Sequence, residues 1–253
     1  MPLGAGCRGV DAVLPVKWCA VLCYPSPSYR CCVRRLVELR LLGVLELLEE
    51  GGIKVGEVSV VGKGTSAIAI KAVHRSAGAV LVKVRRLDSR RSSLLGEAAA
   101  LSLANSVGVG PRLIAYSRNA LVREYVDGVP LVEFALGSCG GEELREVFKN
   151  LILQLAALDS IGLMHNELAR FENHVLVERT SLRPVIIDFE SATLSKSRSN
   201  VTQLLGFLMN KSGFAQALRE CTGIRLPAEA LRGILKRYKN ERNVEELLVE
   251  LGI

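Results

Sequence analysis

Two segments in the second half of the sequence carry side chains that could accept a proton or bind a metal ion. Residues 163–177 read LMHNELARFENHVLV and contain Glu167. A glutamate can accept a proton and orient a hydroxyl group. Asp188 follows the aliphatic run PVII. A carboxylate at the end of a buried strand is well placed to hold Mg²⁺, which takes few protein carboxylates together with phosphate oxygens.

A glycine turn and a strand lysine upstream could bind phosphate. The turn GKGTSA, residues 62–67, lacks side chains where backbone N–H groups would approach phosphate oxygens. Lys71 and Lys83 are the competing lysines. Lys71 follows the turn immediately, which gives it poor reach back, whereas Lys83 lies on the next strand with its aliphatic neighbours facing the other way. The spacing therefore favours Lys83 as the lysine beneath the turn.

Glu97 is the only acidic residue in the alanine-rich segment 92–108, which reads as a helix. It lies about one turn into that helix among leucines, where a carboxylate needs a partner. We expect an ion pair between Lys83 and Glu97 that directs the lysine amine toward phosphate.

The elements that must position these residues follow a simple order, with short strands first and helices second. We predict an irregular leader over residues 1–27 and then a helix from Ser28 that ends at Gly51 and Gly52. The predicted strands are 55–62, 67–73, 79–87, 112–117, 120–126 and 184–192. The remaining predicted helices are 92–108, 141–160 and most of the chain after 200. This order predicts an α+β fold with an N-terminal lobe over 28–126 and a helical C-terminal lobe over 127–253.

Composition and charge exclude some classes of protein. The chain of 253 residues is 49% hydrophobic and 23% charged, which is typical of a globular protein and not of a disordered one. No apolar run is long enough to span a membrane, and Pro15 and Lys17 interrupt the N-terminal apolar stretch. We therefore expect a cytoplasmic protein without membrane contact.

A net charge of +7 suits anionic partners. The basic segment KVRRLDSRR, residues 83–91, is either a solvated strand end or a surface that contacts RNA or the ribosome. Aromatic residues do not interleave with it, which argues against stacking on single-stranded bases.

Seven cysteines are present, and four of them (Cys19, Cys23, Cys31 and Cys32) lie within residues 19–32. The spacing of Cys19 and Cys23 is loosely typical of a metal site, but no histidine nearby completes a zinc set. Buried or free thiols are the favoured interpretation, and structural disulfides are not expected in a protein that is not exported.

The order of these parts resembles the protein-kinase-like superfamily from about Val55 to Ala192. The phrases VVGKGT, DSRRSSLLGEAAAL, GVGP, REYVDG and IIDFESA carry the resemblance, which is closest to the RIO-like kinases and the predicted archaeal serine/threonine protein kinases related to them. It implies a bilobal fold with an antiparallel N-lobe sheet, ATP as cofactor with Mg²⁺ or alternatively Mn²⁺, and transfer of phosphate to a hydroxyl of a protein or a small molecule.

The resemblance also implies a role for each candidate residue. The glycine-turn residues that would cover the phosphates are Gly62, Lys63, Gly64 and Thr65. Lys83, oriented by Glu97, would bind the α- and β-phosphates, and the connector from Glu124 to Val126 would bind adenine. Glu167 would orient the acceptor hydroxyl, and Asp188 with Asn173 would hold the metal.

Three departures from the kinase pattern leave alternatives open. Glu167 replaces the catalytic aspartate of the H-R-D motif, and the following loop is one residue longer, so that His174 competes with Asn173 as second metal ligand. The preference of Mg²⁺ for oxygen favours Asn173. Glu190 replaces the glycine of D-F-G, and no A-P-E motif follows. A nucleotide-binding pseudokinase, a small-molecule kinase and a non-catalytic nucleic-acid binder therefore stand as alternatives to an atypical protein kinase.

Overall fold

The computed structural model describes residues 16–138, 141–168, 174–195, 197–209, 213–223 and 228–253. It has an antiparallel sheet in the N-terminal part and mostly helices in the C-terminal part, which confirms the predicted α+β class. Within the described ranges, no helix combines the length and the apolar character needed to cross a bilayer.

The N-terminal part is built on an antiparallel sheet with two helices against it. Its elements are α1 (Val16–Leu22), α2 (Tyr29–Leu41), β1 (Val44–Leu48), β2 (Ile53–Val55), β3 (Val58–Val60), β4 (Gly62–Lys63), β5 (Ala67–His74), β6 (Gly78–Arg85), α3 (Leu95–Ser106), β7 (Leu113–Tyr116) and β8 (Ala120–Glu124). The main sheet has the order β1-β5-β6-β8-β7, and β4 pairs with β5. One face of this sheet packs on α1 and α2 through aliphatic residues such as Ile68, Ile70 and Val82.

The C-terminal part continues from the end of β8. Its elements are β9 (Gly128–Pro130), α4 (Leu131–Gly137), α5 (Glu142–Ser160), β10 (Leu163–Met164), β11 (Val175–Glu178), β12 (Pro184–Ile186), β13 (Thr193–Leu194), α6 (Asn200–Leu208), α7 (Gly213–Thr222), α8 (Ala228–Glu241) and α9 (Val244–Leu251). Helix α5 buries seven apolar side chains from Leu144 to Leu158, so it is the central helix of this part, as its apolar second half predicts. Helix α3 packs into the same core.

The helix predicted from Ser28 to Gly51 is wrong in its second half. Helix α2 ends at Leu41, and VLELL forms the edge strand β1, which pairs with β5. Gly43 makes the turn between them with φ +89, and a Cβ there would lie 2.3 Å from the ring of His74. The five residues VLELL are too few to distinguish the period of a helix from that of a strand. The tight turn at Gly43 selects the strand.

Three further predictions differ from the structure. The strand predicted over 184–192 is formed only over Pro184–Ile186, and Phe189–Ser191 forms a short 3-10 helix. Residues 55–62 form part of a hairpin of β2 and β3 around Gly56, which has φ +61, instead of one strand. The irregular leader is wrong over residues 16–22, which form α1.

The expectation of buried or free thiols is also wrong for the N-terminal cysteines. Disulfides join Cys19 to Cys32 and Cys23 to Cys31, with Cα–Cα distances of 5.0 and 6.1 Å. Consecutive residues on a helix diverge by about 100°, so Cys31 and Cys32 reach different cysteines of the α1 segment. The bonds fix α1 against α2.

Candidate functional site

A cleft of about 530 Å³ lies beneath the glycine turn, between the main sheet and the loops around β11 and β12. The sheet contributes Lys83 from β6 and Arg123 from β8, and the loops contribute Glu167, Asp188 and Glu190. All charged side chains at the back of this cleft thus come from segments far apart in the sequence.

Lys83 lies at the centre of the charged groups. It pairs in register with Ala69 on β5 and Leu121 on β8, and its neighbours Val82 and Val84 point into the core on the other face of the sheet. Its Nζ lies 2.5 Å from Oε1 of Glu97 and 3.0 Å from Oδ1 of Asp188. The structure therefore forms the predicted Lys83–Glu97 ion pair and adds Asp188 to it.

The charges at this point shift one another's pKa. Burial alone would lower the pKa of Lys83, but attraction by Glu97 and Asp188 outweighs it and raises that pKa above its ordinary value. Burial likewise opposes ionisation of Asp188, yet Lys83 holds its pKa below the ordinary value. Burial and the neighbouring Asp188 raise the pKa of Glu190. Lys83 is thus a fixed positive charge between two carboxylates at neutral pH.

The carboxylates around Asp188 fit a divalent cation. One ligand atom each from Glu97, Asp188 and Glu190 lie within 4.8 Å of one another, and the same holds for Glu167, His174 and Asp188. Oε2 of Glu97 is buried and has no hydrogen-bond partner among the residues that the structure describes. Hard oxygen donors converging on one point suit Mg²⁺, so the residues present are compatible with the predicted metal.

Glu167 is held by two contacts. Its Oε1 accepts a hydrogen bond from Oγ of Ser191, and its Oε2 lies 3.2 Å from Nε2 of His174. Glu167 lines the cleft, and these two contacts set the orientation of its carboxylate.

A buried polar network supports the loop that carries Glu167. Asn200, fully buried, accepts a hydrogen bond from the backbone N–H of His165 and donates to Oδ1 of Asp159 and to the carbonyl of Leu163. Nε2 of His165 lies 2.9 Å from the carbonyl of Ile187. This network ties α5 and α6 to the loop and to the segment that carries Asp188.

The glycine turn is anchored from outside. Gly64 donates to the carbonyl of Ala67 at 2.9 Å, and its own carbonyl accepts from Arg86 at 2.7 Å. Nζ of Lys63 donates to the hydroxyl of Tyr24 at 2.9 Å and lies over its ring. The disulfide-bonded N-terminal segment therefore restrains the side chain of Lys63.

Most of the predicted site residues line this one cleft: Gly62, Lys63, Gly64, Thr65, Lys83, Val126, Glu167 and Asp188. Glu97 lies behind Lys83 and is 5% exposed. Glu124 is not part of the lining, and its carboxylate accepts from the backbone N–H of Arg112. Asn173 lies outside the described residues, so its choice over His174 stays a prediction.

Three residues of the site have no role in the sequence-based account. Arg123 is buried at the back of the cleft, Glu190 joins the carboxylates, and Ser191 orients Glu167. The signal for Arg123 is an arginine within the apolar strand ALVRE, where a charge requires a reason to be buried. Ser191 has no comparable signal, because its role depends on the packing of two loops.

Comparisons with known proteins bear on the family and the fold. Residues 69–206, more than half of the chain, match the family described as the RIO domain. A search of curated proteins by sequence gives no match. Among solved structures, the Rio2 kinase of Chaetomium thermophilum, determined as an ADP/Mg²⁺-phosphoaspartate complex, is similar with a TM-score of 0.52 and 17% identity, covering 89% of this chain and 76% of that one. That likeness supports the bilobal fold.

Proposed function

The chain belongs to the RIO domain family, and we propose that it is an ATP-dependent phosphotransferase. Within that class it would act as an atypical serine/threonine protein kinase, which moves the γ-phosphate of ATP to a hydroxyl group. The observation that carries the proposal is the ammonium of Lys83 between Glu97 and Asp188 beneath a glycine turn.

Each group has a defined task in this reaction. Lys83 would pair with the α- and β-phosphates while Glu97 keeps its amine in place, and the backbone of the glycine turn would cover the phosphate chain. The connector after β8 would hold the base through the backbone at Val126. Mg²⁺ or Mn²⁺, held by Asp188 with Asn173, would neutralise charge on the phosphate oxygens.

Glu167 would take the proton of the acceptor hydroxyl. The acceptor oxygen forms a bond to the γ-phosphorus, the bond from that phosphorus to the β,γ-bridging oxygen breaks, and ADP leaves with the bonding electrons. The proton passes to the carboxylate of Glu167. Ser191 and His174 hold that carboxylate toward the cleft.

A second function is favoured by the same contacts of Glu167. Because both of its oxygens already have partners, the carboxylate could be a fixed structural group in a protein that binds nucleotide without transferring phosphate. This pseudokinase would be stabilised by Mg·ATP but would release no ADP.

The two functions separate when binding and turnover are measured on the same preparations. We expect Mg·ATP to raise the melting temperature of both wild type and Glu167→Gln, because Gln keeps the shape of the side chain. Turnover to ADP should fall by about 10²-fold or more in the variant, the range expected for loss of a general base. Glu57→Gln, in the exposed turn between β2 and β3, is the matched control and should keep wild-type turnover.

Binding without turnover in the wild type would favour the pseudokinase. Absence of both binding and turnover would contradict the proposed function altogether.

A further inference from the structure

Arg123 is a buried cation whose position the reaction outlined above does not explain. It is the fourth residue of β8 and pairs with Leu81 on β6, while Leu121, on the same face, pairs with Lys83. Its side chain therefore points to the cleft beside Lys83, and only 6% of the residue is exposed. It directly precedes the connector that is proposed to hold the nucleotide base.

Most of the hydrogen-bonding capacity of Arg123 is unused. A guanidinium has five N–H donors and no acceptor. One nitrogen, Nη1, donates to the backbone carbonyl of Glu124 at 3.2 Å. The other N–H groups donate to no residue in the described part of the chain. Their nitrogens are also not fully enclosed by protein atoms. They therefore face the interior of the cleft, which Arg123 lines.

The guanidinium stays charged in this position. Burial lowers the pKa of Arg123 to about 10, while Glu97 and Asp188 act in the opposite direction. The side chain is thus protonated at neutral pH and keeps all its donors.

The connector itself offers a further donor. The backbone N–H of Val126 donates to no described residue. The nearby carbonyl of Glu124, which could accept a hydrogen bond from a base, already receives one from Arg123. The N–H groups of Arg123 and Val126 therefore supply hydrogen-bond donors at the base end of the cleft.

Purine bases differ at this edge. Adenine presents the acceptor N7 and the donor 6-amino group, whereas guanine presents two acceptors, N7 and O6. A 6-amino group against Arg123 would bring donor against donor and leave polar groups unpaired in a desolvated site. O6 would instead pair with the guanidinium, which commonly binds O6 and N7 of guanine together.

We propose that Arg123 is a specificity-determining residue that fits the cleft to 6-oxopurine nucleoside triphosphates, so that GTP and ITP bind at least as tightly as ATP. The proposal rests on the proposed function and extends its phosphoryl donor beyond ATP. The proposed contact with Arg123 does not involve the 2-amino group of guanine. ITP shares O6 with GTP but lacks the 2-amino group, so it probes position 6 of the base directly.

The test is the affinity of the magnesium complexes of ATP, GTP and ITP for wild type, Arg123→Met and Arg123→Lys. We expect GTP and ITP to equal or exceed ATP in the wild type. Arg123→Met should weaken GTP and ITP by about tenfold or more beyond any change in its affinity for ATP, the scale of one bidentate arginine–base pair. Arg123→Lys keeps the charge but loses the fork, so its affinity for GTP should fall between the other two proteins.

The outcomes separate this inference from the proposed function. Tighter binding of ATP than of GTP and ITP by the wild type would overturn the role of Arg123 and leave the proposed function intact. An equal change for all three nucleotides in Arg123→Met would show a structural role and also overturn it. Absence of binding by all three nucleotides would overturn both proposals. The wild-type comparison is independent of whether either variant folds.

Discussion

Two cations and three carboxylates share the back of the cleft, and the cations compensate part of the negative charge. Lys83 and Arg123 come from neighbouring strands, and Glu97, Asp188 and Glu190 surround them. A buried charge is tolerated only with such partners. Removing one member therefore changes both the stability of the protein and its chemistry, so the folding of each variant has to be checked beside its activity.

His165 is the residue whose titration should be visible in stability. Burial lowers its pKa from 6.5 to about 4, so the unfolded chain binds its proton first as pH falls. Stability should be constant above about pH 6.5 and then decrease by about 3 kcal/mol between pH 6.5 and pH 4 from this group. Urea denaturation of the nucleotide-free protein across this range measures the effect.

His165→Phe is the matched variant, because it keeps a ring beside Phe189. Its stability should vary less with pH between 6.5 and 4 than that of the wild type. Identical slopes in the two proteins would contradict the assignment of this dependence to His165.

The residues of the site were predictable to different degrees. Lys83, Glu97 and Asp188 could be predicted because each departs from its local pattern, as a lysine among aliphatic strand residues or an acid at the end of a buried strand. The contacts of Ser191 and His174 with Glu167 join loops that the pattern of hydrophobic residues does not relate. The sequence marks Arg123 as unusual, because it is a charged residue within an apolar strand. Its place in the site follows only from the structure, which shows that its face of β8 lines the cleft.

At the scale of elements, periodicity predicted most strands and helices but not their tight turns. Strands β5 and β6 and helices α3 and α5 follow from runs of one clear period. VLELL is apolar at positions that suit both a helix and a strand, and the backbone at Gly43 decides between them. The disulfides depend on how α1 packs against α2, which single-sequence patterns do not contain.

The N-terminal disulfides should contribute measurable stability. They close loops between residues separated by 13 and 8 positions, and a closed loop of this length contributes about 3 kcal/mol. Replacement of the four cysteines, Cys19, Cys23, Cys31 and Cys32, by alanine should lower the melting temperature by roughly 5–10 °C under oxidising conditions. Equal melting temperatures for variant and wild type would contradict a structural role. Such bonds are uncommon in reducing compartments, and the cytoplasmic location stays a prediction.

At the scale of the whole molecule, the positive net charge gives only a small basic surface over residues 83–91. Lys83 faces the cleft, Arg85 contacts Asn119, and Arg86 contacts Asp88. Arg90 and Arg91 remain exposed. We therefore expect RNA binding to be weak and to depend little on salt.

Titration with a mixed-sequence RNA at several salt concentrations measures this. Loss of about 10³-fold in affinity between 50 and 200 mM salt, typical of many phosphate contacts, would contradict the expectation and support the nucleic-acid alternative.

The central claim is that Lys83 and its carboxylate partners form a phosphoryl-transfer site, and one pair of lysines tests it. Lys71 lies on the neighbouring strand β5, pairs with Glu50 at 2.5 Å and is not part of the cleft lining. Lys71→Ala therefore removes the same side chain without removing a charge from the site.

The most direct measurement is transfer of labelled γ-phosphate from Mg·ATP by wild type, Lys83→Ala and Lys71→Ala, with the melting temperature of each checked first. We predict a loss of about 10²-fold or more in Lys83→Ala, the scale of removing one electrostatic donor from an active site, and near wild-type transfer in Lys71→Ala. Equal transfer by the folded Lys83→Ala variant and the wild type, or no transfer by any of the three, would contradict the account.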